Sequence, residues 1–278
     1  EKKYVSAVFL DVSQAFDKVW HTGLLYKIKN KIPQFYLLLK SYLENRRCRV
    51  KFQDEFSDWV NVSAGVPQGS VLGPMLYCIY TADLPMQENV ITGTFADDTA
   101  HIAVDDNKER ASEILQRQLN TDEVWAEKWR TKFNASKSTH VSFTLRSGDC
   151  PPVTLNNEQV PSSENAKYLG IHLDRKQTWQ RHIQTKRKEL DLKFKKFYWL
   201  IGRNSKLSLA NKLLVYKVIL KPVWTYGIQL WGSAAESNIE VIQKFQNKAL
   251  RAIVNAPWYV RNEDIHKDLN VKTVREEI

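Results

Sequence analysis

The sequence predicts an α+β protein in which a mixed first part is followed by a mostly helical second part. Short β-prone apolar runs, such as Tyr4–Leu10 and Val90–Phe95, lie in the first part. From Trp179 onward, apolar residues recur at helical spacing and are flanked by Lys and Arg. We therefore expect two domains with a boundary near residue 175.

The composition is that of a basic globular protein. The chain has 278 residues, of which 43% are hydrophobic, so it can bury a substantial core. Its formal net charge of +10 suits a polyanionic partner, although a merely soluble basic protein would carry the same charge. The three cysteines are too widely spread for a disulfide framework or a zinc site. No membrane-spanning stretch or signal peptide is visible, so we expect an intracellular, non-secreted protein with no membrane partner.

Periodicity and turn residues predict the elements of the first part in order. A buried strand over Tyr4–Leu10 ends at Asp11, and apolar residues at helical spacing follow it. The remaining predictions are helices over 21–30 and 34–44, a hairpin of 50–52 with 59–62, a helix ending near 82, a hairpin of 90–95 with 100–104, a helix over 107–130, and strands over 140–145 and 167–174.

Two adjacent carboxylates, Asp97 and Asp98, are predicted to lie at the tip of the 90–104 hairpin. Such a pair repels itself, and Mg²⁺, which prefers carboxylate and phosphate oxygens, would relieve the repulsion. A solvated Asp-Asp turn is the alternative. The apolar hairpin and the upstream carboxylate of Asp11 favour a metal site.

A glycine-rich loop over 64–74 precedes a predicted helix and contains the segment Pro67-Gln68-Gly69-Ser70. Its glycines allow the backbone to approach a ligand closely, and the helix N-terminus favours anions. Gly-Pro turns are common, so the loop alone is a weak indication.

The second part is predicted to contain helices over 179–201, 208–220 and 238–254, the second ended by Pro222. Basic residues flank the apolar stripes, as at Lys244, Lys248 and Arg251. A charged face is usually only solvated, but successive basic helices also suit a nucleic-acid backbone.

These motifs, in this order, resemble the palm of reverse transcriptases, and most closely those of jockey-type non-LTR retrotransposons. Residues 9–17, 65–74 and 95–98 are similar to the first three polymerase motifs, 134–137 to the fourth, and 168–170 to the fifth, or primer-grip, motif. The similarity covers nearly the whole chain. It implies a palm with a ferredoxin-like antiparallel sheet and packed helices in residues 1–175, a mostly helical thumb in 176–260, and the start of a C-terminal segment in 261–278.

The resemblance implies an RNA-directed DNA polymerase that joins a primer 3′-OH to a nucleotide with two Mg²⁺ ions. Asp11 and Asp97 would bridge both ions, Asp98 would be a weaker ligand, and the carbonyl of Val12 would add an oxygen. Lys137 would be the general acid near the pyrophosphate, although an ordinary exposed turn lysine is the alternative.

Further residues are assigned by the same resemblance. Phe16 would exclude the 2′-OH of ribonucleotides, unless it is only a core aromatic, and Gln68 and Gly69 would face the nucleotide and template. The residues expected to contact nucleic acid are Tyr168, Leu169, Gly170, Lys193, Lys195 and Lys196. The implied partners are an RNA template, a DNA primer, deoxynucleoside triphosphates and an endonuclease of the full-length polyprotein. We expect the protein to be nuclear and also to be part of a ribonucleoprotein in the cytoplasm.

The chain departs from the family at its start. Only ten residues precede Asp11, and Lys2 and Lys3 are the only cations among them. The fingers are therefore largely missing, and we expect a fragment that is weakly active or inactive alone. The alternatives are a viral RNA-dependent RNA polymerase, against which Phe16 argues, and an inactive relic or domesticated fragment that only binds RNA.

Overall fold

The computed structural model describes residues 3–278, so the expectation for Lys2 lies outside the described residues. The chain divides into two compact units, residues 1–166 and 167–278. The division falls somewhat before the boundary expected near residue 175. Among the helices of the described residues, none is long and apolar enough to cross a membrane.

The first unit combines strands and helices as predicted. Its elements are β1 (Tyr4–Leu10), α1 (His21–Lys31), a 3₁₀ turn (Pro33–Phe35), α2 (Tyr36–Leu43), β2 (Arg47–Cys48), β3 (Lys51–Phe52), β4 (Glu55–Phe56), β5 (Val60–Asn61), α3 (Leu72–Thr81), β6 (Val90–Phe95), β7 (Asp98–Asp105), α4 (Lys108–Lys128), β8 (Thr139–Phe143), β9 (Thr154–Leu155) and β10 (Glu158–Gln159). Strand β11 (Asn165–Tyr168) crosses the division between the units.

The central sheet of the first unit has four antiparallel strands in the order β6-β7-β1-β8. With the helices between them, these strands form the β-α-β-β-α-β arrangement of ferredoxin-like folds. This confirms the sheet that the resemblance implied. Because β1 and β7 pair antiparallel, with Leu10 opposite Thr99, the C-terminal end of β1 lies next to the first residue of β7.

Helix α4 packs on β1 and β7 and covers one face of the sheet. It begins at Asn107, whose side chain accepts a hydrogen bond from the amide of Arg110 at 2.8 Å. Ala111, Leu115 and Leu119, spaced four residues apart, are fully buried against the sheet. This packing makes the sheet a rigid support for the residues at its ends.

Two predicted strand assignments are wrong. The hairpin over 46–62 pairs β2 with β5 and β3 with β4, so residues 50–52 face 55–57 rather than 59–62. The segment 167–174 is not one strand: it contains the end of β11 (Asn165–Tyr168), a turn at Leu169 and Gly170, whose φ values are 46° and 76°, and the paired strand that starts at Ile171. Positive φ at both central residues is typical of a tight hairpin turn.

The second unit is helical after its first strand. Its elements are β12 (Ile171–Asp174), α5 (Gln180–Ile201), α6 (Leu209–Val215), a π-helix (Tyr216–Leu220), α7 (Lys221–Thr225), α8 (Ile228–Trp231), α9 (Glu236–Val254), α10 (Asn262–Asp268) and α11 (Val274–Glu277). Helices α5 and α9 pack together, with an edge-to-face contact between Phe194 and Phe245.

One further expectation for this unit is corrected. Pro222 does not end a helical segment, because it lies in the first turn of α7, where its missing N–H has no partner to lose. Within residues 261–278, Ile265, Val271 and Val274 are buried in the same core as α9, and the start of a C-terminal segment there stays a prediction.

Candidate active site

The carboxylates of the first and third motifs lie at one end of the central sheet. Leu10 pairs with Thr99, so Asp11 follows β1 beside Asp98, the first residue of β7. Phe95 pairs with Asp98, which leaves Ala96 and Asp97 as a two-residue turn. Asp97 thus lies in the turn as predicted, whereas Asp98 already belongs to the strand.

The negative charges of this cluster act on one another. Burial raises the pKa of the Asp98 carboxyl above its ordinary value, and the charges of Asp97 and Asp11 raise it further. Asp98 is therefore within electrostatic reach of both Asp97 and Asp11. The negative charges of Asp97 and Asp11 therefore favour a proton or a cation at Asp98.

The donor set suits a hard divalent cation, because it consists of carboxylate oxygens whose mutual repulsion a cation relieves. The carboxylates are not assembled around one point, however. Within residues 3–278, no three His, Cys, Asp or Glu side chains are grouped closely enough to hold one metal ion. The chemistry of the ligands fits Mg²⁺, but the cluster would have to contract around the ion.

Lys137 lies near Asp11 because the fourth motif pairs with the end of the first. The amide of Asn134 donates to the carbonyl of Asp11 at 2.8 Å, and the amide of Asp11 donates to Ser138 Oγ at 3.1 Å. Val12 forms a β-bridge with Phe133. These contacts fix the turn that carries Lys137 beside the C-terminal end of β1.

Asp11, Val12 and Lys137 line one cavity of about 890 Å³, together with two cations that the sequence analysis did not single out, Lys18 and Lys132. The three lysines outnumber the two carboxylates of the lining, Asp11 and Glu158, so the cavity carries a small positive excess, which suits a phosphate-bearing ligand. Asp97 and Asp98 do not line this cavity. No motif pointed to Lys18 or Lys132, since each is one basic residue among many.

The glycine-rich loop docks on the turn after Asp11. The amides of Gly65 and Val66 donate to the carbonyls of Val19 and Phe16 at 2.9 and 2.8 Å. Gly65 has φ of 87°, and a Cβ there would lie 2.7 Å from the carbonyl oxygen of Asp17. Only glycine allows this close approach of the two segments.

Gln68 and Gly69 are both exposed at the outer end of this loop. Gln68 Nε2 donates to Asp17 Oδ1 at 2.8 Å, which ties the second motif to the first. A Cβ at Gly69 would meet nothing within 4 Å, so its φ of 80°, rather than crowding, favours glycine.

The ring of Phe16 stacks on Tyr77 of α3, with centroids 4.6 Å apart and planes 25° apart. Burial raises the pKa of the Tyr77 hydroxyl, and the negative charge of Asp97 raises it further. Phe16 is therefore packed against a residue within electrostatic reach of Asp97. The sequence identified the position of Phe16 but not Tyr77.

The turn of residues 168–170, similar to the fifth polymerase motif, lies at the start of the second unit. Tyr168 ends β11, and the carbonyl of Leu169 accepts a hydrogen bond of 2.6 Å from the hydroxyl of Tyr226. A Cβ at Gly170 would lie 3.4 Å from the ring of Tyr226. Tyr226 therefore braces this turn from the segment after α7, a role that its sequence context did not reveal.

The three lysines of α5 lie on the outer surface of the second unit. Lys195 and Lys196 are exposed, and Lys193 is half-buried with its ammonium 3.5 Å from Glu189. Their nucleic-acid contacts stay a prediction.

A buried histidine–carboxylate pair joins the β6–β7 hairpin to helix α4. His101 Nε2 and Asp122 Oδ2 are 2.9 Å apart, and both side chains are fully buried. His101 Nδ1 is 2.9 Å from Thr92 Oγ1, and Gln118 donates to Asp122 at 2.8 Å. The pair joins β6, β7 and α4. The signal available in the sequence was Asp122, an acidic residue at a position of α4 that faces the sheet.

Comparison with known proteins places these observations in a family. The profile described as "Reverse transcriptase (RNA-dependent DNA polymerase)" matches residues 1–173. The chain is 46% identical over its whole length to the probable RNA-directed DNA polymerase from transposon X-element of Drosophila melanogaster. It is 44% identical over 97% of its length to the RNA-directed DNA polymerase from mobile element jockey of the same species. It spans 31% and 30% of these two relatives.

Among solved structures, apo telomerase from Candida tropicalis is 14% identical, with a TM-score of 0.45 over 90% of this chain and 46% of the other. The sequence family, not this distant likeness, decides the assignment. The chain belongs to the reverse transcriptase (RNA-dependent DNA polymerase) family.

Proposed function

We propose that this chain is the polymerase region of an RNA-directed DNA polymerase from a jockey-type non-LTR mobile element. The observation that carries the proposal is the convergence of Asp11, Asp97 and Asp98 at one end of β1 and β7. Relatives of 44–46% identity that are named RNA-directed DNA polymerases support it. Because the chain spans about a third of those relatives, the activity of the whole protein is part of the proposal.

The carboxylates of Asp11, Asp97 and Asp98 and the carbonyl of Val12 are the groups that would hold two Mg²⁺ ions. When bound, such ions neutralise charge on the reacting phosphate and lower the pKa of a coordinated hydroxyl. The mutual repulsion of the carboxylates favours cation binding at this point. The ligand set would become complete when the nucleotide adds its phosphate oxygens.

The remaining residues of the first unit would position the nucleotide. Lys137 would hold a proton near the leaving pyrophosphate, since it lines the same cavity as Asp11. Gln68 and Gly69 would contact the nucleotide and template from a loop that is hydrogen-bonded to the first motif. Phe16 would bar the 2′-OH from a site near Asp97.

The second unit would contact the template and primer. Tyr168, Leu169 and Gly170 would support the primer end, on a turn held by Tyr226. The lysines of α5 would contact phosphates, as their exposure allows. The proposed partners are an RNA template, a DNA primer, deoxynucleoside triphosphates and an element-encoded endonuclease. The proposed location is the nucleus, with a ribonucleoprotein in the cytoplasm.

Replacing Asp97 by Asn tests the proposal. Asn keeps the size and removes the charge, so primer extension on poly(rA)–oligo(dT) with Mg²⁺ should fall by about 100-fold or more. The assay is run on this chain and on the jockey polymerase with this chain in place of its matching segment. The chimaera supplies the rest of the relative's length.

The chain offers a matched control in Asp54. It occupies the second position of the two-residue turn between β3 and β4, after Gln53 with φ of 54°, as Asp97 follows Ala96 with φ of 53°. Asp54→Asn should leave extension unchanged. If Asp97→Asn retains activity within a few-fold of the parent, the metal-ligand role is wrong. If the chimaera binds template–primer but never extends it, the chain is a binding relic.

A further inference from the structure

The second unit has an open groove between α5 and α9 that the polymerase proposal does not use. It has a volume of about 500 Å³ and an apolar floor that includes Phe194 and Tyr198 of α5. The cations that line it are Arg203, Lys244, Lys248 and Arg251. An aromatic floor with basic walls is a combination that single-stranded nucleic acids recognise.

A second cavity, of about 850 Å³, continues this surface along the loop after α9. The two cavities share Arg251 and Asn262 among their lining residues. The second adds one further cation, Arg261, and one acid, Glu263. The lining of the combined surface thus carries five cations and one carboxylate.

Ion pairs neutralise this surface only in part. The ammonium of Lys248 lies 3.6 Å from Asp191, and that of Lys244 lies 2.9 Å from Glu240. Arg203 and Arg261 form no ion pair with any residue in the described part of the chain. Surface pairs of this kind are weak, so a polyanion can compete for the lysines.

Two aromatic side chains stand out from this surface. Trp258 is 91% exposed and Tyr259 is 70% exposed, the largest exposures of any Trp and Tyr in the described chain. Their centroids are 6.0 Å apart with planes at 81°, an edge-to-face contact, so the two rings do not stack face to face and most of each ring stays exposed. An indole exposed to this degree gains nothing from folding, and it can stack on a flat ligand.

The loop that carries the aromatic pair is held in place. The guanidinium of Arg251 donates to the carbonyl of Val260 at 2.7 Å and to Asn262 Oδ1 at 3.2 Å, and it also donates to the carbonyl of Pro257. Asn255 ends α9 with φ of 52°. A loop that is already fixed loses little entropy when a ligand binds.

We propose that this surface, lined by α5, α9 and the 257–262 loop, binds single-stranded nucleic acid. Bases would stack on Trp258 and Tyr259 while phosphates follow the cations of the groove. A duplex hides its base faces within its own stack, so open aromatic faces favour unpaired nucleotides. RNA and DNA share this chemistry. The inference does not depend on polymerase activity, and it is separate from the lysines of α5.

Equilibrium binding tests the proposal without nucleotides or Mg²⁺. Labelled single-stranded RNA and DNA of about 12 nucleotides, a usual site size, are titrated with the full chain, beside a duplex of the same length. Trp258→Ala should weaken single-strand binding about 10-fold, the usual effect of losing one stacked base, and Trp258→Phe should restore most of it. Lys248→Ala should reduce the salt slope of log K by about 0.7.

Trp199 provides the matched control, because it is 72% exposed on α5 but lines neither cavity. Trp199→Ala should bind single strands as the parent does. Equal single-strand affinity of the Trp258→Ala, Trp199→Ala and parent chains would overturn the proposal. An equal loss of duplex binding in Trp258→Ala would overturn the preference for single strands. A comparison of the affinities for single-stranded RNA and single-stranded DNA shows which of the two the surface prefers.

Discussion

At the scale of single residues, Phe16 combines a packing role with a place near the carboxylates. Its ring rests on Tyr77, whose hydroxyl lies within electrostatic reach of Asp97. A ring supported on one face is fixed in position, and a fixed ring can exclude a substrate group by contact. The packing against Tyr77 is therefore compatible with selection of the sugar.

Phe16→Val removes the aromatic ring and opens space at this position. We expect the ratio of ribonucleotide to deoxynucleotide incorporation to rise by about 10-fold or more, because a steric clash with the 2′-OH is lost. The ratio is measured by competitive extension with the chimaeric polymerase. Using a ratio separates selection from any general loss of activity through the smaller core.

Tyr77→Phe is the control for this experiment, since it removes only a hydroxyl and keeps the stacked ring. Its incorporation ratio should equal that of the parent. A ratio that is unchanged in Phe16→Val as well would show that the ring serves packing alone.

Residues at strand ends were the part of the site that the sequence could predict. Asp11 and the Asp97-Asp98 pair directly follow or connect apolar runs, so the pattern fixes where they lie. Tyr77, Lys18 and Lys132 could not be predicted, because their relation to the site depends on how separate segments pack. No local pattern records that packing.

At the scale of elements, the β6–β7 hairpin is anchored to helix α4 through buried polar groups. His101 on β7 lies 2.9 Å from Asp122 on α4 and 2.9 Å from Thr92 on β6. All three elements meet at this point, and both ionisable side chains are inaccessible to water. Such a cluster stabilises the fold only while every member keeps its partner.

Asp122→Ala should destabilise the first unit strongly. It leaves His101 and the amide of Gln118 buried without their carboxylate, and removing one partner of a buried pair typically costs about 3 kcal/mol or more. The free energy of unfolding is measured by urea titration at neutral pH.

Two comparisons define this result. Glu113→Ala, on the exposed side of the same helix, should change the stability by less than about 0.5 kcal/mol. Replacing His101 and Asp122 together by Leu should cost less than Asp122→Ala alone, since the imidazole of His101 is then no longer left buried without its carboxylate. A single Asp122→Ala variant as stable as Glu113→Ala would contradict the anchoring role.

The elements themselves were largely predictable, but their pairings were less so. β1, α3, α4 and the β6–β7 hairpin follow from strong periodicity. The pairing within residues 46–62 was not predictable, because several short exposed runs can pair in more than one register. Pro222 was misjudged because proline is tolerated in the first turn of a helix.

At the scale of the whole molecule, each unit has its own hydrophobic core, and each contains a histidine kept neutral by burial. In the first unit, burial lowers the pKa of His140 to about 4, against a smaller opposite effect of Asp149. In the second unit, burial lowers the pKa of His182 to about 4, and the charge of Lys186 lowers it further. His182 Nδ1 also accepts a hydrogen bond from the amide of His172, which suits a neutral ring.

These two histidines should make the chain less stable as the pH falls from about 6.5 to 5. The unfolded chain binds protons near the ordinary pKa of about 6.5, whereas the folded chain does not bind them until about pH 4. Stability therefore rises with pH in this window, with a slope for each histidine of up to about 1.4 kcal/mol per pH unit, which is steepest near pH 5. Urea unfolding at several pH values measures the slope. His140→Gln and His182→Gln should each remove one contribution, and the double variant should lose both. A double variant with the full slope of the parent would show that other groups control acid stability.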